Sequence, residues 1–319
     1  MKAAVYRTNG DPKVLTWEEI ADPEVGPATV LIRVACVAIQ GGDILNRRKV
    51  PPPNVPHVVG YQAAGTVEAV GSEVKAFKVG DKVAAFAFDG SHAELFATDQ
   101  SYVYPVPQEL ELTTAAVLPV EFGTASDGLF EFGRLTKGET VLVRGAAGGV
   151  GLAAVQLAHR AGAQVIAVAA TPERLRKIAD FGADHGIDYK SEDVVARVQE
   201  ITGGRGVDLV LDMAGGNPIF DACARRGRYG LIGAAGGGAT SVSFEDLLLK
   251  SLTVFSFMFG QEMGTERVRT RIEELMQLAV RGEIVMPIAK TFKLSAADEA
   301  HSFVESGSPV GRVLMTTAR

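Results

Sequence analysis

The chain has 319 residues, enough for two domains at roughly 100–200 residues each. Hydrophobic residues make up 47% and charged residues 22%, which excludes disorder and fibrous repeats, and a formal net charge of −6 argues against a nucleic-acid partner. The two cysteines, Cys36 and Cys223, stand far apart, too few for a disulfide framework or a cysteine-rich zinc lobe, and suit a reducing cytosol.

The chain opens Met1-Lys-Ala-Ala-Val-Tyr-Arg7, where charge returns too soon for a signal-peptide core. No later apolar stretch reaches membrane-spanning length before charge, Gly or Pro interrupts it, so a soluble cytoplasmic protein is expected. Up to about residue 118 the sequence reads as short β-prone runs, clearest at Val30 to Val37, Gly65 to Val70 and Lys82 to Phe88. Turns such as Pro51-Pro-Pro-Asn54 and Val79-Gly-Asp-Lys82 separate them. From about residue 138 the texture changes. Apolar runs at Thr140 to Val143, Val165 to Ala169, Val207 to Leu211 and Arg228 to Ile232 alternate with helix-like segments such as Gly149 to Arg160 and Pro172 to Phe181. That alternation predicts a parallel sheet covered on both faces. Phe255 to Phe259 reads as a buried or dimer-edge strand, Thr265 to Arg281 as a helix, and the tail as strands Ile288 to Phe292 and Gly311 to Thr316 around a helix Ala296 to Glu305.

The most informative stretch runs from Val141 through Gly145-Ala-Ala-Gly-Gly-Val-Gly151 into Leu152-Ala-Ala-Val, a β run passing through glycines directly into a helix. Gly148 and Gly151 hold the last two positions of a G-x-G-x-x-G fingerprint, with Ala146 at the first. Small residues let backbone N–H groups and the positive helix end approach a pyrophosphate, so Ala147, Gly148, Gly149 and Val150 are the candidate phosphate cradle. A tight strand-to-helix turn without a ligand is the plain alternative. NAD-binding folds usually place a carboxylate at the end of the second strand for the ribose 2′-hydroxyl. Here Ala170 and Thr171 supply none, and Arg174 and Lys177 follow where a 2′-phosphate finds cationic donors, which favours NADPH. The competing view is that Glu173, Arg174 and Lys177 only solvate a helix face.

The order of parts resembles a known family. Gly60-Tyr-Gln-Ala-Ala-Gly-Thr-Val-Glu-Ala-Val-Gly71, Val79-Gly-Asp-Lys-Val83, the glycine loop, Leu118-Pro119, Gly203-Gly-Arg-Gly-Val-Asp208 and Gly311-Arg-Val-Leu314 together are similar to the medium-chain dehydrogenase/reductase superfamily. Within it the chain most resembles the zinc-independent, ζ-crystallin-like quinone oxidoreductases. The resemblance implies an α/β protein: a mainly β GroES-like substrate domain over residues 1–118, completed by 287–319, and a doubly wound Rossmann NADP-binding domain over 119–286. It implies a homodimer, and an active site in the cleft between the domains. By the same resemblance Gln40 and Asp43 lie near the nicotinamide and the substrate, Thr124 reaches the carboxamide or ribose, and Tyr189 lies against the adenosine phosphate. Gly233 approaches the dinucleotide at the sheet edge, Arg312 is a basic residue near the cofactor, and Phe255 to Phe259 is a second choice for a wall over the nicotinamide. The plain readings are a helix N-cap for Ile44 to Arg48 at Asp43, a helix cap at Thr124, and surface positions at Tyr189 and Arg312. Relatives carry Asn at the Gln40 place and tyrosines soon after it, where this chain has Ile44-Leu-Asn-Arg-Arg48.

The superfamily's zinc enzymes carry a Gly-His-Glu motif and a Cys three residues before an Asp. Gly60-Tyr61-Gln62 and Gln40 stand in those places, and the third ligand position falls near Val120, so no metal is expected. Nor do His57, His92, His159, His185 and His301 show close ligand spacing. Tyr61 offers a phenolic O–H in the vacated pocket to orient an acceptor oxygen, against the alternative of a packed aromatic with its hydroxyl in solvent. Without zinc to stabilise an alkoxide, the expected reaction is hydride transfer from NADPH to a small-molecule electron acceptor that delocalises its own charge. A quinone leads; α,β-unsaturated carbonyls or enoyl thioesters come second, and a structural or RNA-binding role is the remote alternative.

Overall fold

The computed structural model describes residues 1–233, 241–307 and 310–317, which form two compact units, 1–123 with 260–319 and 124–259. The first unit begins with β1 (Lys2–Tyr6), β2 (Thr16–Glu19), β3 (Thr29–Ala38), α1 (Gly41–Lys49), β4 (His57–Val58), β5 (Gln62–Val70), β6 (Lys82–Phe86), β7 (Leu95–Asp99) and β8 (Val103–Pro105). Short α2 (Leu112–Ala115) and α3 (Pro119–Ser126) follow, and α3 runs on into a π-helical turn over Asp127–Phe132. The second unit carries β9 (Thr140–Arg144), α4 (Gly149–Arg160), β10 (Gln164–Ala169), α5 (Pro172–Ala179), β11 (His185–Asp188), α6 (Val194–Ile201), β12 (Val207–Asp212), β13 (Cys223–Leu231), α7 (Phe244–Lys250) and β14 (Thr253–Phe255). The chain then closes with α8 (Phe259–Glu262), α9 (Glu266–Val280), β15 (Ile288–Lys293), α10 (Ala297–Glu305) and β16 (Arg312–Thr316).

The first unit is organised around β3. One edge pairs with β5; the other is shared by β7 along Thr29 to Arg33 and by β16 along Cys36 to Ala38, all antiparallel. Gly65 on β5 permits a close crossing, because a Cβ there would stand 2.1 Å from the Arg33 carbonyl oxygen. The mixed sheet β15-β16-β3-β5-β6-β8 packs over a core that includes Ile32, Val37, Val67, Phe96 and Met315, all at most 1% exposed. Burial of such side chains, at about 1.5–3 kcal/mol each, is what holds C-terminal β16 in an N-terminal sheet.

The boundary differs from the expectation at both crossings: residues 119–123 and 260–286 cluster with the first unit. For the second the cause is polar. On α9 the Arg269 guanidinium donates to the carbonyls of Val103, Gln100 and Ser101 at 2.9, 3.2 and 3.1 Å, and the buried Tyr104 hydroxyl donates to the Met263 carbonyl at 2.7 Å.

The second unit is the expected parallel sheet, in the order β11-β10-β9-β12-β13-β14. Numbered within the unit this is 3-2-1-4-5-6, the order of dinucleotide-binding doubly wound folds, with its reversal between β9 and β12. Helix α4 is almost wholly apolar up to Ala158 and sits buried against the sheet. The apolar run from Phe255 is strand only at its first residue, where β14 forms the sheet edge; Phe257 leaves it to stack on Phe132, ring centroids 4.5 Å apart.

Gly151 is a packing glycine: a Cβ there would lie 2.3 Å from the Gly145 carbonyl oxygen and 2.7 Å from the Ala146 Cα. Gly148 meets nothing closer than 3.5 Å. Gly151→Ala should therefore lower unfolding stability by about 1–3 kcal/mol through overpacking, and Gly148→Ala should change it little, both measured by urea denaturation.

Candidate functional site

Two groups of residues carry chemistry, one in each unit. In the first, Gln40 is the N-cap of α1, and Asp43, third residue of that helix, accepts the Gln40 backbone N–H at 2.8 Å. The capping role considered for Asp43 is real but displaced: the helix starts at Gly41 rather than Ile44, so Asp43 closes the first turn from inside. Tyr61 lies with its ring on that same turn, where a Cβ at Gly42 would stand 2.6 Å from the phenolic oxygen. Its ring also meets Phe86 edge to face at 5.8 Å. The hydroxyl thus faces the helix turn and is not simply a solvent group.

Fully buried Glu121, from α3, was not singled out from the sequence. It accepts the Gln40 side-chain amide at 2.8 Å on one oxygen and the Gln62 amide at 2.9 Å on the other, and the Arg312 guanidinium from β16 stands 2.7 Å from the first oxygen. Gln62 also donates to the Ala116 carbonyl and accepts the Val120 backbone N–H at 2.7 Å, while Arg312 donates to the Ile39 carbonyl. The hint was one acid in the apolar run Leu118-Pro-Val-Glu-Phe122.

Burial raises the Asp43 carboxyl to about 7, with Glu121 adding to it and the Gln40 N–H and Arg312 opposing it. One of its oxygens, Oδ1, has no hydrogen-bond partner. Burial, then the Asp43 charge, pushes the Tyr61 phenol far above its usual range, so it remains a hydrogen-bond donor.

A zinc ion does not fit this donor set. Two neutral amides and a guanidinium already surround Glu121, and a cation beside its oxygen opposes a second one. Among the described residues no group of three or more His, Cys, Asp or Glu is placed to hold a metal.

In the second unit the candidate cofactor residues gather at the carboxyl ends of the strands. After β9 the chain turns at Gly145, φ 80°, and Gly148 caps α4, leaving Ala147 to Val150 presenting the helix N-terminus. Such a terminus supplies unpaired N–H groups to an anion. After β10, Thr171 has φ 71°, a costly conformation for a β-branched residue, and caps α5 by accepting the Arg174 N–H at 3.5 Å. Lys177 is ion-paired with Glu173 at 3.0 Å, whereas Arg174 makes no ion pair among the described residues. Tyr189 follows β11, half exposed, with its N–H on the Ala169 carbonyl at 3.4 Å. Gly233 follows β13 with its N–H on the Asp212 carbonyl at 3.1 Å. Thr124 lies inside α3, so it is not a helix cap.

Asp212, fully buried at the end of β12, escaped the sequence reading. It accepts the N–H groups of Ala214 and Gly215 at 2.9 and 3.1 Å, the Tyr229 hydroxyl at 2.6 Å, and the Arg144 guanidinium. These bonds set the loop beside the sheet's order reversal.

Residues 26–108 match the sequence model of the alcohol dehydrogenase GroES-like domain and residues 149–281 that of the zinc-binding dehydrogenase family. A quinone oxidoreductase of Pseudomonas aeruginosa is 34% identical over 98% of this chain and 99% of its own. The chain belongs to the medium-chain dehydrogenase/reductase superfamily, in its quinone oxidoreductase branch. A 2-haloacrylate reductase of a Burkholderia species is 32% identical over 98% of both chains. The crystal structure of Escherichia coli quinone oxidoreductase complexed with NADPH superposes with a TM-score of 0.94 at 29% identity, covering 99% of this chain and 100% of that one. This member of the superfamily is an oxidoreductase, with a GroES-like N-terminal domain and a Rossmann-like sheet.

Because Asp43 is raised in the folded state, its contribution to stability is fully present below its ordinary value and is lost as pH rises through about 7. Asp43→Asn should therefore be more stable than the parent by about 4 kcal/mol above that pH and nearly equal to it below about pH 4, read from urea midpoints across pH.

Proposed function

We propose that the chain is an NADPH-dependent reductase that transfers hydride, without a metal, to a quinone or a similar electron-poor acceptor. The observation that carries this reading is the Glu121 cluster. It fills the place of a Lewis acid with a closed set of hydrogen bonds and an ion pair, so the acceptor's developing charge must be delocalised in the acceptor itself or met by a protein donor. The residues of the second unit that would hold the dinucleotide suit it: the open α4 terminus for the pyrophosphate, Thr171 and Arg174 for the 2′-phosphate, and Tyr189, Gly233 and Thr124 for the remainder. Bound there, NADPH supplies the hydride. Tyr61, with a phenol that stays protonated, orients the acceptor oxygen, and Gln40 borders it. Asp43, raised to about 7, is matched to release a proton near neutral pH.

Conjugated alkenes remain the second acceptor class, supported by the likeness to a 2-haloacrylate reductase. We read the working form as a cytoplasmic homodimer in which a second copy covers edge strand β14 and the exposed Phe244, Leu248 and Leu249 of α7. No described helix is long and apolar enough to cross a membrane.

Arg174→Ala should raise KM for NADPH roughly tenfold and leave that for NADH within about twofold, since only NADPH presents a 2′-phosphate. Equal effects on both cofactors remove the assignment. Turnover should survive exhaustive chelation, and elemental analysis should find no stoichiometric zinc; zinc whose removal abolishes turnover overturns the metal-free reading. Tyr61→Phe should lower kcat by about tenfold with NADPH affinity unchanged. The parent kcat should fall as pH rises above about 7, where Asp43 loses its proton, and Asp43→Asn should lack that limb.

A further inference from the structure

Side chains that the proposed reaction does not use form a buried chain through the first unit. Arg47 lies on α1, His301 and Glu305 on α10, and His92 in the segment before β7; Arg47, His92 and His301 are 0% exposed. Arg47 Nε donates to His301 Nδ1 at 3.3 Å, and its other nitrogens donate to the Gly10 carbonyl and the Glu305 carboxylate, each at 2.6 Å. His301 Nε2 is 3.0 Å from His92 Nε2, and His92 Nδ1 is 3.3 Å from the Ser91 hydroxyl oxygen.

The direction of every bond follows from one end. A guanidinium has no acceptor and keeps its protons, so His301 Nδ1 must hold the lone pair. A neutral imidazole with its lone pair on Nδ1 carries its proton on Nε2, and His301 therefore donates to His92 Nε2. His92, accepting there, carries its proton on Nδ1 and donates toward Ser91. Protonating His301 would set an N–H against Arg47, and protonating His92 would set two Nε2–H groups face to face. Around the chain stand Arg48, Asp11, Tyr6 and His57, with Asp89 beyond His57, and among the described residues the carboxylate in contact, Glu305, is already bonded to Arg47. Burial accordingly pushes His92 down to about 3 and, with His92 and Arg47 adding to it, holds His301 well below its ordinary value.

One end of the chain meets the Gly60–Tyr61 turn, and the other lies on the helix against which the Tyr61 ring packs. Gly60 has φ 100°, and a Cβ on it would stand 1.8 Å from His92 Nδ1. The carbonyls of Val59, Gly60 and Tyr61 accept the N–H groups of His92, Ser91 and Ala87 at 3.1, 2.8 and 3.0 Å. At the other end Arg47 belongs to the helix whose first turn carries Asp43 and lies under the Tyr61 ring. We propose that His92 and His301, each locked by Arg47 into a single neutral tautomer, are positioning residues that align the Gly60–Tyr61 turn with α1, and so the Tyr61 hydroxyl with Asp43. The functional consequence rests on Tyr61 acting in the reduction proposed above; the alignment itself does not.

The test uses the full chain labelled with 15N-histidine and with ring-labelled tyrosine. NMR should place the proton of His301 on Nε2 and that of His92 on Nδ1, with neither ring titrating between about pH 8 and pH 5. Opposite tautomers, or titration near the ordinary histidine value, overturn the proposal in the parent protein before any variant is made. His92→Leu strands the His301 N–H, whereas His92→Gln returns an acceptor to it. The Tyr61 ring resonances should shift in the first variant and return toward the parent in the second. Unmoved resonances overturn the alignment whether or not an acceptor is ever turned over. With a quinone acceptor His92→Leu should lower kcat about tenfold at unchanged KM for NADPH, and His92→Gln should recover most of it. Shifted Tyr61 resonances with an unchanged kcat would uphold the alignment and place the failure in the assigned role of Tyr61. If His92→Leu does not fold, the parent tautomers still decide the proposal, since opposite tautomers or titration near the ordinary histidine value overturn it.

Discussion

Glu121 is a carboxylate fully buried in the protein, and the pocket is built around that fact. A buried charge costs several kcal/mol unless paired and hydrogen-bonded. Here the pairing comes from four separate parts of the sequence: Gln40 at the end of β3, Gln62 at the start of β5, Glu121 on α3 and Arg312 on the last strand. The C-terminal strand is thereby fastened to the pocket by charge as well as by the β3 ladder. Removing any one partner leaves a buried polar group unsatisfied, so the cluster specifies one arrangement rather than adding much net stability.

That closure has a chemical consequence. Burial, with the neighbouring Glu121 charge adding to it, keeps a proton on Asp43 up to about pH 7, and its Oδ1 is left without a partner. A group left in that state costs stability and is the kind of group that function retains. In the second unit the same pattern appears in the backbone: Thr171 holds φ 71° at the carboxyl end of β10, where an unstrained turn would need glycine. Two of the residues proposed for chemistry or for the cofactor, Asp43 and Thr171, thus depart from the cheapest local structure.

The sequence made the second unit legible because its signals are local. The strand, glycine loop and helix of β9 and α4 lie within one continuous stretch, and the expected helix Gly149 to Arg160 is the observed one. β11 was not read because only Ile187 in His185–Asp188 is a strong strand former, and the β10 ladder makes it a strand. In the first unit the runs of β3, β5 and β6 were visible, but Glu121 and the Gln62 side chain acquire meaning only when distant segments meet. The place of α9 was hidden for the same reason, since Arg269 bonds to carbonyls more than 160 residues earlier in the chain.

In the metal-free reduction proposed above, the internal ion pair bears on what kind of acceptor the pocket suits. A Lewis acid attracts charge wherever an oxygen binds, whereas Glu121 and Arg312 spend their charges on each other and project little field beyond the cluster. In the proposed reaction a developing oxyanion meets the Tyr61 hydroxyl, a neutral donor worth about 1 kcal/mol in a typical net hydrogen bond, and the proton of Asp43. An isolated alkoxide asks for far more than that. A hydroquinone anion or an enolate spreads its charge over a conjugated frame and asks for less. The acceptor class proposed for this chain is thus the one whose intrinsic stabilisation makes up for the field the ion pair has removed.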